Sequence, residues 1–248
     1  MRQSVWQTVM GIVMLCAVAV ISWQAGGLAA AQNGPRVEAK EETPVIVLDA
    51  GHGGNDPGKV GVGGQLEKDI NLKIVLKLKE YLEASDVKVI LTRSEDKGLY
   101  SAGDRNKKMA DMRQRCDSIN EASPRLVVSI HQNSYHEENV SGGQVFYYKT
   151  SEKGKQLAEV LQRRFDYVLG EKNKRLPKSN DNYFLLLHVR QPIVIVECGF
   201  LSNRAEAKSL ESEDYQDRLA WTIHMGILEY LNTPHRADLS LKQGGRDE

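Results

Sequence analysis

Residues 44–58 read P-V-I-V-L-D-A-G-H-G-G-N-D-P-G. Val45 to Leu48 form a short apolar run rich in β-branched residues and predict a buried strand. The glycines that follow cannot continue a strand, so the chain must turn there into a shaped loop carrying His52. The same arrangement, an apolar strand delivering a polar residue, returns as L-V-V-S-I-H at 126–131 and as P-I-V-I-V-E at 192–197. Glu67 opens an amphipathic helix shortly after the first loop. An unpaired imidazole or carboxylate taken out of water costs several kcal/mol, so a chain that repeats this pattern has a use for it. Two histidines and a glutamate can hold one divalent metal ion, with a second glutamate left over as a base. That combination points to hydrolysis.

Each of these residues also has an ordinary explanation. A histidine at a strand end is more often structural than a ligand, and Glu67 suits the electropositive start of a helix. Glu197 is harder to dismiss, because four apolar residues precede it. The joint pattern outweighs the separate readings, since the three strand ends are expected to converge.

Working outward, strands and helices alternate. Strands are expected at 45–48, 87–92, 126–130, 144–148 and 193–197, and helices at 67–84, 102–121, 153–169 and 214–231. Ile70, Ile74, Leu78 and Leu82 recur every fourth residue in the first helix. Leu157, Leu161, Phe165 and Val168 mark the third, and Leu219, Ile223, Ile227 and Tyr230 the last. The helix at 102–121 has an unusually polar face. The fold class implied is α/β: a single domain with a twisted, mostly parallel sheet and helices on both faces. Such sheets bind ligands beyond the carboxyl ends of their strands, where His52, His131 and Glu197 fall.

The 248 residues are 41% hydrophobic and carry 33 basic and 33 acidic side chains, a formal net charge of zero. That balance argues against a nucleic-acid binder. Gly53-x-x-x-x-Gly58-Lys59 matches a phosphate-binding loop up to its last position, where Val60 supplies no hydroxyl for magnesium. Asp56 would repel phosphate, Pro57 lacks an N–H, and V-G-V-G-G cannot begin the required helix. A nucleotide site is set aside on those grounds.

Arg2 precedes an uncharged apolar stretch at 9–21, and Ala29-Ala30-Ala31 offers a small-residue cleavage site before Gln32. Residues 1–31 therefore read as a secretory signal peptide, with an uncleaved membrane anchor as the alternative. The stretch is short beside the roughly 20 residues a spanning helix needs. Leu15 makes Cys16 a poor lipoprotein acceptor. Residues 32–43 read as a linker, 44–232 as the folded domain and 233–248 as a polar tail. Cys116 and Cys198 read as buried free thiols, Cys116 on a helix face shared with Met109, Met112 and Ile119. No CxxC pair exists, so a metal would be held by N and O donors.

Weaker candidates surround these. Asn133 stands two residues beyond His131 and could meet substrate or form a turn. Arg93 and Arg105 read as partners in structural ion pairs. Lys172, Lys174, Arg175 and Lys178 make a basic stretch, read first as a solvated loop and second as an attractor of carboxylates. His136 and His188 lack a metal-ligand context and read as structural.

The loop at 48–58 resembles the opening motif of the zinc-dependent N-acetylmuramoyl-L-alanine amidases of the amidase-3 family. L-E-K-D-I-N-L at 66–72, L-T-R at 91–93, S-I-H-Q-N-S at 129–134 and V-E-C-G-F-L-S-N at 196–203 continue the resemblance in order, over residues 44–231. It implies that His52, Glu67 and His131 are ligands of one Zn2+ ion and that Glu197 is the catalytic carboxylate. The substrate implied is peptidoglycan, cut between the lactyl group of N-acetylmuramic acid and L-alanine, with 44–232 as the catalytic domain. Residues 98–121 resemble the spore-cortex branch, which implies a role in sporulation or germination and a site between the forespore and mother-cell membranes. Some relatives carry a blocking helix after the third-strand histidine; residues 132–143 are too few for one. The resemblance leaves an activating protein partner and membrane association through the N-terminal segment open. The alternatives are a catalytically weak peptidoglycan-binding protein and a zinc peptidase acting on another cell-wall amide.

Overall fold

Successive side chains of a strand point to opposite faces of its sheet, and the computed structural model follows that parity throughout. It describes residues 43–169 and 173–233, together with parts of 6–22. The chain divides into two units, Met1–Glu42 and Thr43–Glu248. In the first, residues 13–20 are helical. Among the described residues no helix is long and apolar enough to cross a membrane. The cleavage site at 29–31, the linker at 32–42 and the tail beyond Thr233 lie outside the described residues.

The elements of the second unit are β1 (Val45–Ala50), α1 (Glu67–Glu83), β2 (Lys88–Leu91), α2 (Lys107–Ala122), β3 (Leu126–Asn133), β4 (Gln144–Tyr148), α3 (Glu152–Leu169), β5 (Lys178–Asn180), α4 (Phe184–His188), β6 (Ile193–Phe200), α5 (Arg204–Glu211) and α6 (Glu213–Asn232). The sheet runs in the order β2-β1-β3-β6-β4-β5. Neighbours are parallel except β4 and β6, which are antiparallel. This is the mostly parallel α/β sheet expected.

Even-numbered residues Ile46, Leu48, Leu126, Val128, Ile130, Val194 and Val196 pack with the apolar stripes of α1, α3 and α6 in the larger core. Odd-numbered Val47, Val127, Ile193 and Ile195 meet Cys116 and Ile119 of α2 and Leu185 and Leu186 of α4 in a smaller one. By the same parity Asp49, Ser129, His131 and Glu197 belong to the smaller side. There α4 spans only Phe184–His188, and a cleft stays open.

Several boundaries differ from expectation. The helix expected at 102–121 starts at Lys107. A turn closes first, with Asp104 accepting from Ser101 N at 2.7 Å, and Asn106 then caps the helix by accepting from Met109 N at 3.0 Å. β3 and β6 continue past His131 and Glu197, so these residues sit within strands rather than at their ends. Ladder bonds are backbone bonds and survive where the apolar run stops. β5, α4 and α5 were not anticipated; they are too short to print a periodicity. Cys116 and Ile119 are buried, whereas Met109 is exposed. Both Cys116 and Cys198 are buried free cysteines.

A candidate metal centre at the carboxyl end of the sheet

Parallel pairing brings the site together. His131 of β3 and Glu197 of β6 are direct partners in the ladder, and the register shifts just beyond, between His131 and Asn133. β1 delivers the loop that carries His52. Glu67 is the first residue of α1, so its carboxylate projects from the helix start over the strand ends. His52, Glu67 and His131 each offer a ligand atom within 4.8 Å of the others, a group that could hold a metal ion. His52 Nε2 lies 3.2 Å from Glu67 Oε2, and His131 Nδ1 lies 2.9 Å from Glu67 Oε1.

The backbone around the group is shaped for it. A Cβ on Gly51 would come within 2.2 Å of the His131 ring, and one on Gly58 within 2.5 Å of Glu67 Oε2. His52 itself adopts φ 65°, the left-handed region that non-glycine residues avoid. Two buried arginines hold that turn. Arg93 donates to the carbonyls of Ala50, Gly51 and Lys68 at 2.8, 3.1 and 2.7 Å. Arg115 donates to the carbonyls of Ala50 and His52 at 2.9 and 2.7 Å. It also pairs with Asp49 and Asp111, each at 2.6 Å. Arg93, expected in an ion pair, works instead through backbone carbonyls. Arg115 carries the buried ion pair, and the sequence reading missed it.

Charge is arranged around Glu67 and Glu197 in opposite senses. Burial alone would raise Glu67, but its bonds to His131 and His52 hold it far below the usual carboxylate range. Lys59 N and Gln132 N also donate to it, at 2.7 and 3.1 Å. Burial raises Glu197 to about 7, His131 opposing and Glu67 reinforcing the shift. Its Oε1 lies 3.5 Å from the Tyr183 hydroxyl, and among the described residues its buried Oε2 has no hydrogen-bond partner. Burial and the Glu197 charge push Tyr183 up to about 12.

A cleft of about 440 Å³ opens over these residues, lined also by Asn133, Tyr183 and Lys108. Asn133 accepts from Ser134 N at 2.8 Å. His52 Nδ1 is met by Asp56 Oδ2 at 2.9 Å, a contact the sequence did not announce. Nothing in the sequence singles out Tyr183, which lies in a stretch without periodicity. The basic stretch lies elsewhere: Arg175 donates to Ser141 O at 3.1 Å and covers the Phe200 ring at 4.7 Å. Lys172 is outside the described residues. His136 and His188 are exposed and stand apart from the metal group. Between His131 and β4 no blocking helix intervenes.

Comparison with known proteins places the chain in a family. Residues 46–229 match the family described as N-acetylmuramoyl-L-alanine amidase. A germination-specific N-acetylmuramoyl-L-alanine amidase of Bacillus subtilis is 38% identical over 190 residues, covering 75% of this chain and 79% of that one. The CwlD amidase of Clostridioides difficile, solved in complex with the GerS lipoprotein, is 40% identical with a TM-score of 0.74, covering 76% of this chain and 98% of that one. The catalytic domain of CwlV, an N-acetylmuramoyl-L-alanine amidase of Bacillus (Paenibacillus) polymyxa var. colistinus, is 31% identical with a TM-score of 0.67, covering 77% and 100%.

Proposed function

Since the chain belongs to the N-acetylmuramoyl-L-alanine amidase family, we propose that it hydrolyses the amide joining the lactyl group of N-acetylmuramic acid to the L-alanine of a peptidoglycan stem peptide, with His52, Glu67 and His131 holding one zinc ion and Glu197 moving the proton. The observation that carries this assignment is the meeting of those three donors beside a buried carboxylate with one unpartnered oxygen. Two imidazoles and a carboxylate suit zinc. Tetrahedral bonds of about 2.1 Å put neighbouring donors about 3.4 Å apart, and His52 Nε2 lies 3.2 Å from Glu67 Oε2.

Held there, zinc would supply Lewis acidity, polarising the scissile carbonyl and easing deprotonation of a water. Glu197 takes the proton of the attacking water at its carboxylate and returns it to the departing amine nitrogen of L-alanine. Burial favours its protonated form, which helps it serve first as base and then as acid. Tyr183 orients that carboxylate by donating to Oε1. Asn133, on the cleft wall, contacts the substrate. The products are a muramyl glycan with a free lactyl carboxylate and a stem peptide with a free L-alanine amine.

Similarity to the germination-specific amidase supports action on spore peptidoglycan. Residues 1–31 serve as export signal or anchor, and 44–232 as the catalytic domain, so that the enzyme meets its substrate outside the cytoplasm. The likeness to an amidase solved with a lipoprotein supports a protein partner for this chain as well. The test is mass spectrometry of peptidoglycan digested with the zinc-loaded chain and with Glu197→Ala. Wild type is expected to release stem peptides with a free L-alanine amine, while Glu197→Ala retains zinc and loses about 10²–10⁴ in kcat. Release of an amino acid with the muramyl–alanine bond intact would instead identify a peptidase.

A further inference from the structure

The cleft is lined by acids and by Lys59 and Lys108. Five carboxylates bound it or the cavity that adjoins it: Asp49, Asp56, Glu67, Asp111 and Glu197. Asp49 and Asp111 are paired with Arg115, Asp56 with His52, and Glu67 with both histidines. The lysines are not engaged in this way. Lys108 Nζ reaches no closer than 3.8 Å to Asp56, whose Oδ2 already meets His52, and its side chain is 72% exposed. Among the described residues no carboxylate pairs with the ammonium of Lys59 or Lys107; that of Lys107 stands 5.4 Å from the centre of the Tyr100 ring.

Lys107 and Lys108 do not serve their own helix. They occupy the first turn of α2, where a cation opposes the helix dipole, and no acid shares that turn. Space is continuous with the reaction site. A cavity of about 270 Å³ bounded by Lys107, Lys108 and Tyr100 shares Asp56, Lys108 and Asp111 with the main cleft, whose wall also includes Lys59.

We propose that Lys59, Lys107 and Lys108 form a subsite for the carboxylates of the stem peptide, fixing the direction in which the substrate lies across the cleft. The inference rests on the amidase reading. In that substrate the N-acetylated sugars are neutral and the lactyl carboxyl is tied up in the scissile amide, so the negative charge lies on the peptide side. Ammonium groups on flexible stems suit carboxylates whose spacing varies from one stem peptide to another. Desolvation is partial at an exposed rim, so the contribution is to substrate affinity and weakens with salt.

The experiment compares kcat and KM on two defined muropeptides, one with free stem-peptide carboxylates and one with those carboxylates converted to primary amides. Wild type, Lys107→Ala/Lys108→Ala and Lys174→Ala/Lys178→Ala are measured at low and high salt. Wild type is expected to show about a tenfold lower KM for the free acid, a preference that shrinks with salt. Lys107→Ala/Lys108→Ala raises KM for the free acid by about tenfold, leaves kcat within about twofold and abolishes the preference. Equal KM for the two muropeptides in wild type overturns the subsite, as does a tenfold KM rise confined to Lys174→Ala/Lys178→Ala. Hydrolysis of neither muropeptide by the zinc-loaded wild type overturns the amidase reading and this inference together.

Discussion

Asp49 lies 1% exposed beneath the His52 turn, and its surroundings decide its charge. Burial alone would raise its pKa, but Arg115, with hydrogen bonds from Ser129 and Thr92, brings it from 3.8 down to about 2. A carboxylate whose pKa is lower in the folded than in the unfolded chain stabilises the fold above the unfolded value. That stability is lost as pH falls through the folded one. The shift corresponds to about 2 kcal/mol, present above about pH 4 and gone below about pH 2. Asp49→Asn removes the titration and leaves the buried Arg115 charge with one carboxylate partner, Asp111, beside carbonyls and the Thr92 hydroxyl, a loss of about 3–5 kcal/mol at neutral pH. Denaturant titrations at several pH values should therefore show a lower midpoint for the variant at pH 7 and a flatter decline between about pH 4 and pH 2. A decline parallel to wild type would show that Asp49 does not carry the acid sensitivity.

At the scale of elements, α2 illustrates how local chemistry overrides pattern. A helix from residue 102 would accommodate the sequence, yet the Ser101–Asp104 turn and the Asn106 cap delay its start to Lys107. Starting there puts Arg115 on the sheet side, buried to 1%, and Lys107 and Lys108 at the cleft. Among the described residues the cap is the side-chain acceptor for the first turn of α2, which also carries two cations. Asn106→Ala should cost about 1 kcal/mol, read as a shift of the unfolding midpoint. Phe165→Ala in α3, by contrast, empties a site at 0% exposure in the larger core and should cost about 3–5 kcal/mol. A comparable loss from the two variants would mean that the α2 start is as deeply built into the fold as the core.

For the whole molecule, the three candidate metal donors come from three separate places: a loop after β1, the first residue of α1 and the interior of β3. A metal bound to all of them would join β1 and β3, neighbours in the sheet, to α1 and would stabilise only the folded chain. Chelation is expected to abolish hydrolysis and to lower the melting temperature, with zinc restoring both. Free metal at about a thousand times its Kd contributes about 4 kcal/mol. A melting temperature indifferent to chelator and to zinc would argue against a metal spanning these elements.

Much of this was legible in the chain alone. The alternation of apolar strands with fourth-residue helical stripes marked the parallel α/β sheet, because backbone pairing and burial act on local patterns. His52, His131 and Glu197 stood out because polar residues that follow apolar runs are costly to bury unless used, and Glu67 because it opens the helix after the first of them. What only the tertiary structure decided depends on register and parity. The pairing of His131 with Glu197 follows from how β3 and β6 align, and no local pattern specifies that alignment. The exchange of roles between Arg93 and Arg115, the approach of Tyr183 to Glu197, and the presence of Lys59 and Lys108 on the same cleft join residues distant in the chain. Such contacts are set by the packing of whole elements rather than by any neighbouring residue.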